Sequence, residues 1–429
     1  MGPEDRQPAA GAADRRVLGE LGVLMLEAGA SVGEVRRSLE RSGPVTASVL
    51  AGTVVVTDRR GGASTLVASA GDDLTFEQAA HASRLARLVE AGALGLGQVP
   101  DRIAAVRAVR RRFPRTEQVV GSALVAGGLA LVTRCPWWAV LVALVVGAGV
   151  GTLARLLGRL EGGAAVLPFV VALASTLAVG AVAAAASWEP IPLFAVCAPI
   201  AILVPGALIT NALLDLTAAD VVTGSGRLVY GLLVLALMAL GIFAGAHLTG
   251  LAIDPASVAL VGQTAGPAPV DAVGWEQLPP VWSAWVGVAV LAAGVSLAFG
   301  SGARLGAVSV VVMTATFTLL RALTPAVGEA AAAGAAAAVL FLVARWGERR
   351  TLALPAAATF QPAFLLLVPG TVGLVALTGT DSRALTTSLI TFAAICLGVK
   401  LAALVADNVP GRRPAAPPPS PPQEGSPRR

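Results

Sequence analysis

The chain has few charged residues and very little histidine or cysteine. Only 13% of its 429 residues are charged and 55% are hydrophobic, whereas a soluble domain normally carries about 25% charged residues. The two histidines and three cysteines are far apart, with no spacing typical of a metal site or a catalytic triad. We therefore predict no metal site, no catalytic residues and no cofactor.

The charges that are present are unevenly distributed. Residues 1–115 are mixed in character, while charges become rare from Val119 to Asp407. The net charge of +5 comes from arginine clusters beside apolar runs, and Lys400 is the only lysine. A nucleic-acid site would gather its basic residues on one soluble face, so nucleic acid is excluded as a partner. The pattern predicts a soluble N-terminal domain followed by a membrane domain.

Residues 15–116 predict a small α/β domain. A helical stripe of leucines stops at Gly29. Ser31 and Thr75 are each followed, three residues later, by a Glu or Gln, which is the capping-box pattern of a helix start. Two β-rich runs within 53–68, separated by a Gly-Gly turn, predict a hairpin. The polar residues 1–14 contain no apolar signal-peptide core and are predicted to be disordered.

Long apolar runs predict about ten transmembrane helices, since a ~30 Å bilayer core needs about 20 apolar residues per helix. The predicted spans are 118–133, 137–156, 164–187, 191–214, 228–249, 282–300, 304–323, 326–344, 354–378 and 384–404. Arginine clusters fall in loops on the side of the N-terminus, and the opposite loop 251–281 has no basic residue. The positive-inside rule then places both termini in the cytoplasm of a multi-pass plasma-membrane protein. The Pro-rich tail 406–429 is predicted to be disordered.

A short motif occurs once in each half of the membrane domain. Leu203-Val-Pro-Gly206 lies in the fourth predicted span and Leu367-Val-Pro-Gly370 in the ninth. If the halves are 117–250 and 282–405, each contains five helices. An odd number forces the halves into opposite orientations. The sequence thus predicts a 5+5 inverted repeat, an arrangement found in many secondary transporters.

The prolines of this motif predict a pair of interrupted helices. Pro205 and Pro369 have no N–H to donate, so each breaks the helical hydrogen bonding within an apolar run. The amides after each break carry partial positive charge suited to a carboxylate. Two kinks that serve only packing are the alternative, but a repeat at matching places favours a binding site. The predicted substrate-binding residues are Pro205, Gly206, Ala207, Asn211, Pro369, Gly370 and Thr371.

Asp215 lies four residues after Asn211, on the same face of the predicted helix. An acid inside a membrane span is costly and indicates function. Asp215 is predicted to exchange a proton that couples transport, or to bind a substrate ammonium. The alternative interpretation is an interfacial residue that reaches headgroup water.

These features together resemble the threonine/serine exporter family. The soluble domain contributes Glu27-Ala-Gly-Ala-Ser31 and Val99-Pro-Asp-Arg-Ile103, and the membrane part contributes Leu203–Ala207 with Asn211, Asp215 and Gly226-Arg-Leu228. The half that contains Leu367–Gly370 is similar to a second module, which some relatives carry as a separate chain. The resemblance implies ten transmembrane helices and export of small hydroxy amino acids driven by the proton motive force.

We therefore expect a secondary active exporter of small amino acids, proton-coupled, whose partners are the lipid bilayer and its small-molecule substrate. One alternative is an exporter of a small dicarboxylate such as succinate. Another is a membrane-anchored sensor or scaffold without transport activity. An ATP-driven pump is disfavoured because no GxxxxGK[ST] motif occurs. The oligomeric state, including a homo-oligomer, stays open.

Overall fold

The computed structural model describes residues 11–408 with ten gaps. The gaps are 51, 70–73, 112, 161, 189–190, 218–219, 255–273, 351–362, 364–365 and 368–381. Most of the predicted 354–378 span and the Pro-rich tail therefore lie outside the described residues. One difference appears at the start, where the first helix begins at Ala12, inside the segment predicted as disordered.

The N-terminal domain combines four helices with a three-stranded antiparallel sheet. In chain order it contains α1 (Ala12–Glu27), α2 (Val32–Ser42), β1 (Val45–Leu50), β2 (Thr53–Asp58), β3 (Ser64–Ala68), α3 (Phe76–Glu90) and α4 (Val99–Ala108). The strands pair in sequence order, with Val49 opposite Val54 and Val55 opposite Leu66. The sequence predicted the hairpin β2–β3 but missed β1, whose run of alternating small residues is a weak signal.

Local signals fixed the ends of the domain's helices as predicted. Helix α1 ends at Glu27 and Gly29 takes a positive φ of 82°, a conformation that glycine adopts without strain. The Ser31 side chain accepts a hydrogen bond from the Glu34 amide. Thr75 and Gln78 form a complete capping box at the start of α3. Leu18, Leu21 and Leu24 of α1 are fully buried in the domain's own apolar core.

The rest of the described chain is a bundle of mostly apolar helices. They are α5 (Pro114–Val132), α6 (Trp137–Leu157), α7 (Gly163–Ala186), α8 (Leu193–Cys197), α9 (Gly206–Thr217), α10 (Val221–Thr249), α11 (Ser283–Phe299), α12 (Gly302–Val327), α13 (Glu329–Arg350) and α14 (Ser382–Asn408). Within the described residues, five helical segments are long and apolar enough to cross a membrane. These are Trp137–Leu157, Ala165–Ala186, Val221–Thr249, Gly302–Val327 and Glu329–Gly347. Leu193–Leu203, Ser283–Phe299 and Ile390–Ala406 are apolar but shorter.

Helices α5 and α11 cross each other backbone to backbone through glycines. A Cβ on Gly128 would lie 2.5 Å from the Leu291 backbone nitrogen and 2.9 Å from the Gly287 carbonyl oxygen. One further pair repeats the contact, because a Cβ on Gly121 would lie 2.8 Å from the Gly294 carbonyl oxygen. Residue numbers rise along α5 as they fall along α11, so the two helices are antiparallel. Small residues allow such close approach where helices lack a hydrophobic driving force.

The same pattern of helix neighbours occurs on both sides of this crossing. In the first set, α6 packs on α5, α7 on α6, and α10 on α7. In the second set, α12 packs on α11, α13 on α12, and α14 on α13. Glycine mediates the outer pair in each set, with Gly245 against Thr176 on α7, and Gly334 against Ala394 on α14.

We predict that Gly128→Leu destabilises the protein by about 2 kcal/mol or more, because the added side chain would collide with backbone that cannot rotate away. Thermal unfolding of the purified, detergent-solubilised protein measures the effect. Gly149→Leu is the matched control, since a Cβ at Gly149 of α6 meets nothing within 4 Å. Equal stability of the two variants would contradict a tight α5–α11 crossing.

Candidate functional site

The apolar run 193–217 is not one continuous helix. A turn of α-helix (α8) passes into a 3₁₀ segment, Ala198–Leu203, and α9 starts afresh at Gly206. Between them Val204 is extended, with φ −65° and ψ 122°. A proline forces this conformation on the residue before it by steric clash and also lacks the N–H that would continue the helix. The interruption predicted at Pro205 is therefore present.

The interrupted segment is enclosed by other helices. The 3₁₀ segment packs against α5, α6 and α7. Phe194, Cys197 and Ile200 are at most 1% exposed. Enclosure matters because a backbone group freed by a break costs several kcal/mol in hydrocarbon unless protein, water or a ligand satisfies it. The break thus lies inside the bundle.

The predicted binding residues of the first motif surround the start of α9. The Gly206 N–H donates to the Val204 carbonyl at 2.8 Å, and the Ile209 N–H donates to the Pro205 carbonyl at 3.0 Å. The other first-turn amides have no partner within the helix by its geometry. Ala207 belongs to this first turn, and Asn211 is half-buried one turn further on.

Asp215 lies at the far end of α9 from the break. It follows Gly206 by nine residues, which is about 13 Å at the helical rise of 1.5 Å per residue. Only 2% of the residue is exposed. A substrate held at the break would therefore not contact Asp215 directly. Asn211 and Asp215 are spaced four residues apart and lie on one face of α9.

Asp215 forms an ion pair with Arg227 of α10. The Arg227 Nη1 donates to the Asp215 Oδ2 at 2.7 Å, and the side chains are 22% and 3% exposed respectively. The turn between the two helices adds support, since the Asp220 N–H donates to the Asp215 carbonyl and the Asp220 carboxylate accepts from the Thr223 amide. The pairing of Arg227 with Asp215 was not predicted from the sequence. The signal was available, since a buried acid needs a nearby cation.

The N-terminal domain also reaches Asp215. The backbone N–H of Val32, the first residue of α2, faces the Asp215 carboxylate as a hydrogen-bond donor. The start of a helix carries partial positive charge, so the domain presents a second positive group to this carboxylate. Val32 is 5% exposed. The site therefore combines α9, α10 and the soluble domain.

The structure describes residues next to the second motif but not most of the motif itself. Pro369, Gly370 and Thr371 lie outside the part of the chain that the structure describes. Just before them, Leu366 and Leu367 are helical and each 4% exposed. Helix α14, which follows the motif, packs against α9. The structure therefore brings the two halves into contact beside the interrupted helix but does not locate the second break.

Among the described residues, no three histidine, cysteine, aspartate or glutamate side chains lie close enough together to hold a metal ion. Cys135, Cys197 and Cys396 are free thiols, each buried.

The helices and the enclosed break define the class of this protein, a polytopic membrane protein with a soluble N-terminal domain. Comparison with known proteins then identifies its family. The chain belongs to the threonine/serine exporter family, because the ThrE family model, described as a threonine/serine exporter, matches residues 16–249. That region contains the N-terminal domain from Arg16 of α1 onward and α5 to α10, including Asp215 and Arg227. No curated protein and no solved structure matches the chain.

We predict that Asp215 and Arg227 stabilise the fold as a coupled pair. Asp215→Asn and Arg227→Gln should each lower the free energy of unfolding, because each leaves a partly buried charge without its counter-ion. The double variant should recover much of the loss, giving a coupling energy of about 1 to 3 kcal/mol in a double-mutant cycle. The exposed pair Arg41–Glu90, 2.8 Å apart, is the control and should show coupling below about 1 kcal/mol. Additive single effects at Asp215 and Arg227 would contradict the pairing.

Proposed function

We propose that this protein is a secondary active exporter of small hydroxy amino acids of the threonine and serine type. In this proposal it crosses the plasma membrane about ten times, with both termini and the N-terminal domain in the cytoplasm. The observation that carries the proposal is the interrupted helix enclosed within the bundle, in the region that matches an exporter family.

Two features of the packing support a 5+5 inverted repeat. The first helix of each proposed half, α5 and α11, meets its counterpart in an antiparallel crossing with reciprocal glycine contacts. A pseudo-two-fold axis in the membrane plane would generate such a reciprocal contact. The matching order of neighbours around the crossing is the second feature. Rocking of the two halves around a central site would then give alternating access.

The substrate carboxylate is proposed to bind the first-turn amides of α9, around Pro205, Gly206 and Ala207. An amide-rich helix start at the middle of the bundle attracts a negative group without a basic side chain. Asn211 can hydrogen-bond the substrate hydroxyl or carboxylate from the next turn. Through the repeat, Pro369, Gly370 and Thr371 would provide the equivalent surface in the second half.

Asp215 is proposed to carry the coupling proton. Its carboxylate pairs with Arg227 and lies beside the Val32 amide. Protonation would remove the charge that holds α10 and the soluble domain to the end of α9. Proton binding would thereby be linked to a change of contacts, which is what coupling requires.

We expect proteoliposomes loaded with labelled threonine or serine to release the label, and release should rise at least several-fold with an imposed proton gradient. Labelled succinate in parallel vesicles tests the dicarboxylate alternative. Faster release of succinate than of either amino acid would show that the substrate is a dicarboxylate and not a hydroxy amino acid. Equal release from empty-membrane control vesicles for all three compounds would favour a sensor or scaffold and refute transport.

We predict that Asp215→Asn abolishes the stimulation by the proton gradient, because an amide cannot exchange the proton. Asp215→Glu should retain part of it. The control is Glu276→Gln, since Glu276 is an exposed acid outside this site and its loss should change release by less than about twofold. Gradient-stimulated release that persists in Asp215→Asn would remove Asp215 from the coupling mechanism.

A further inference from the structure

The N-terminal domain contacts the membrane bundle at the turn between α11 and α12. The Phe76 ring at the start of α3 stacks on the Phe299 ring, with centroids 5.1 Å apart and planes 14° apart. The next residue, Glu77, donates its backbone N–H to the Gly300 carbonyl at 3.1 Å. Phe76 is 8% exposed and belongs to the apolar cluster of the bundle, not to the core of its own domain. The Phe76 side chain therefore packs on the bundle and not in the core of its own domain.

A third residue, Arg111 in the linker before α5, strengthens the same contact. The Arg111 Nη1 donates to the Ala298 carbonyl at 2.7 Å. Burial there lowers the pKa of the guanidinium, which Glu117 partly offsets. Gly300 has a positive φ of 68°, and a Cβ on it would lie 2.5 Å from the Arg111 Nε. The turn thus needs glycine both for its conformation and to admit the arginine.

A second contact of the domain lies on the other set of helices, where the Val32 backbone N–H of α2 faces the Asp215 carboxylate of α9. The two contacts belong to one packed domain. Helices α2 and α3 pack on each other, and Leu39 of α2 and Leu85 of α3 lie in the same buried core. The domain therefore connects the end of α9 to the α11–α12 turn on one side of the bundle.

We infer that the N-terminal domain is a lid that holds the two halves together on its side of the membrane, and that it must leave the α11–α12 turn before substrate can enter. The inference rests on the proposed function, in which the halves separate on the cytoplasmic side to admit substrate. A body attached to both halves opposes that separation. The α11–α12 contact is the one that can open, because the domain is also joined covalently to α5 in the first half.

The test fastens the lid reversibly in the full-length protein. Cys135, Cys197 and Cys396 are replaced by alanine, and Phe76→Cys with Phe299→Cys introduces a new pair. A short bis-methanethiosulfonate links the two thiols and a reductant releases them. We expect at least a tenfold loss of threonine release from proteoliposomes after linking, and recovery after reduction.

The matched control links two positions inside the domain. Arg41→Cys with Glu90→Cys uses an ion pair that joins α2 to the end of α3. This linkage leaves the domain free to move as a unit, so release should change by less than about twofold. Full release from the protein linked between positions 76 and 299 would overturn the lid. Wild-type protein that transports none of the substrates would instead overturn the proposed function.

A second measurement does not depend on transport. Ser301, beside the docked domain, is 2% exposed, so Ser301→Cys should react slowly with a water-soluble maleimide. Adding Phe76→Ala should raise the labelling rate at least fivefold, because the stacking contact is lost while the domain's own core is unchanged. Adding Leu66→Ala, which removes an exposed side chain on β3, should leave the rate unchanged. An equally slow reaction in the Phe76→Ala variant would contradict an opening lid.

Discussion

The structure depends on how an interrupted backbone is kept away from lipid. Pro205 ends the helical hydrogen bonding between the 3₁₀ segment and α9, and hydrocarbon offers no replacement partner. The surrounding helices must therefore enclose the break tightly. Glycine makes this possible, since Gly128 and Gly294 bring α5 and α11 into backbone contact and Gly147 and Gly151 admit α6 against α5. The glycines of the bundle therefore allow the close packing that the break at Pro205 requires.

The carboxylate of Asp215 connects the interrupted helix to the N-terminal domain. Burial of an acid is unfavourable unless positive groups surround it. Here they come from Arg227 on the neighbouring helix and from the Val32 amide on the domain. Removing the charge would weaken both attachments together. Under the proposed coupling, binding of a single proton at Asp215 would alter the contacts of α9, α10 and the domain together.

Features that depend only on residues adjacent in the sequence were predictable from the sequence. Gly29 ends α1, Thr75 caps α3 and Pro205 breaks its helix, because backbone geometry determines each locally. Strand β1 was missed since its residues are small and its partner decides its conformation. The contacts of Arg227 and Phe76 were also missed. They join residues that are distant in the chain, and charge or aromatic character alone does not specify a partner.

The position of the domain gives a physical reason for fusing it to the bundle. Under the proposed function, substrate enters from the side on which the domain lies, and that side must not stay open while the other side opens. A docked domain that touches both sets of helices favours the closed arrangement, and its linker keeps it close enough to dock again. The stacking of Phe76 on Phe299 and the two short hydrogen-bonded contacts of Gly300 and Ala298 form a small interface. Under the proposed lid mechanism, an interface of this size opens in each transport cycle.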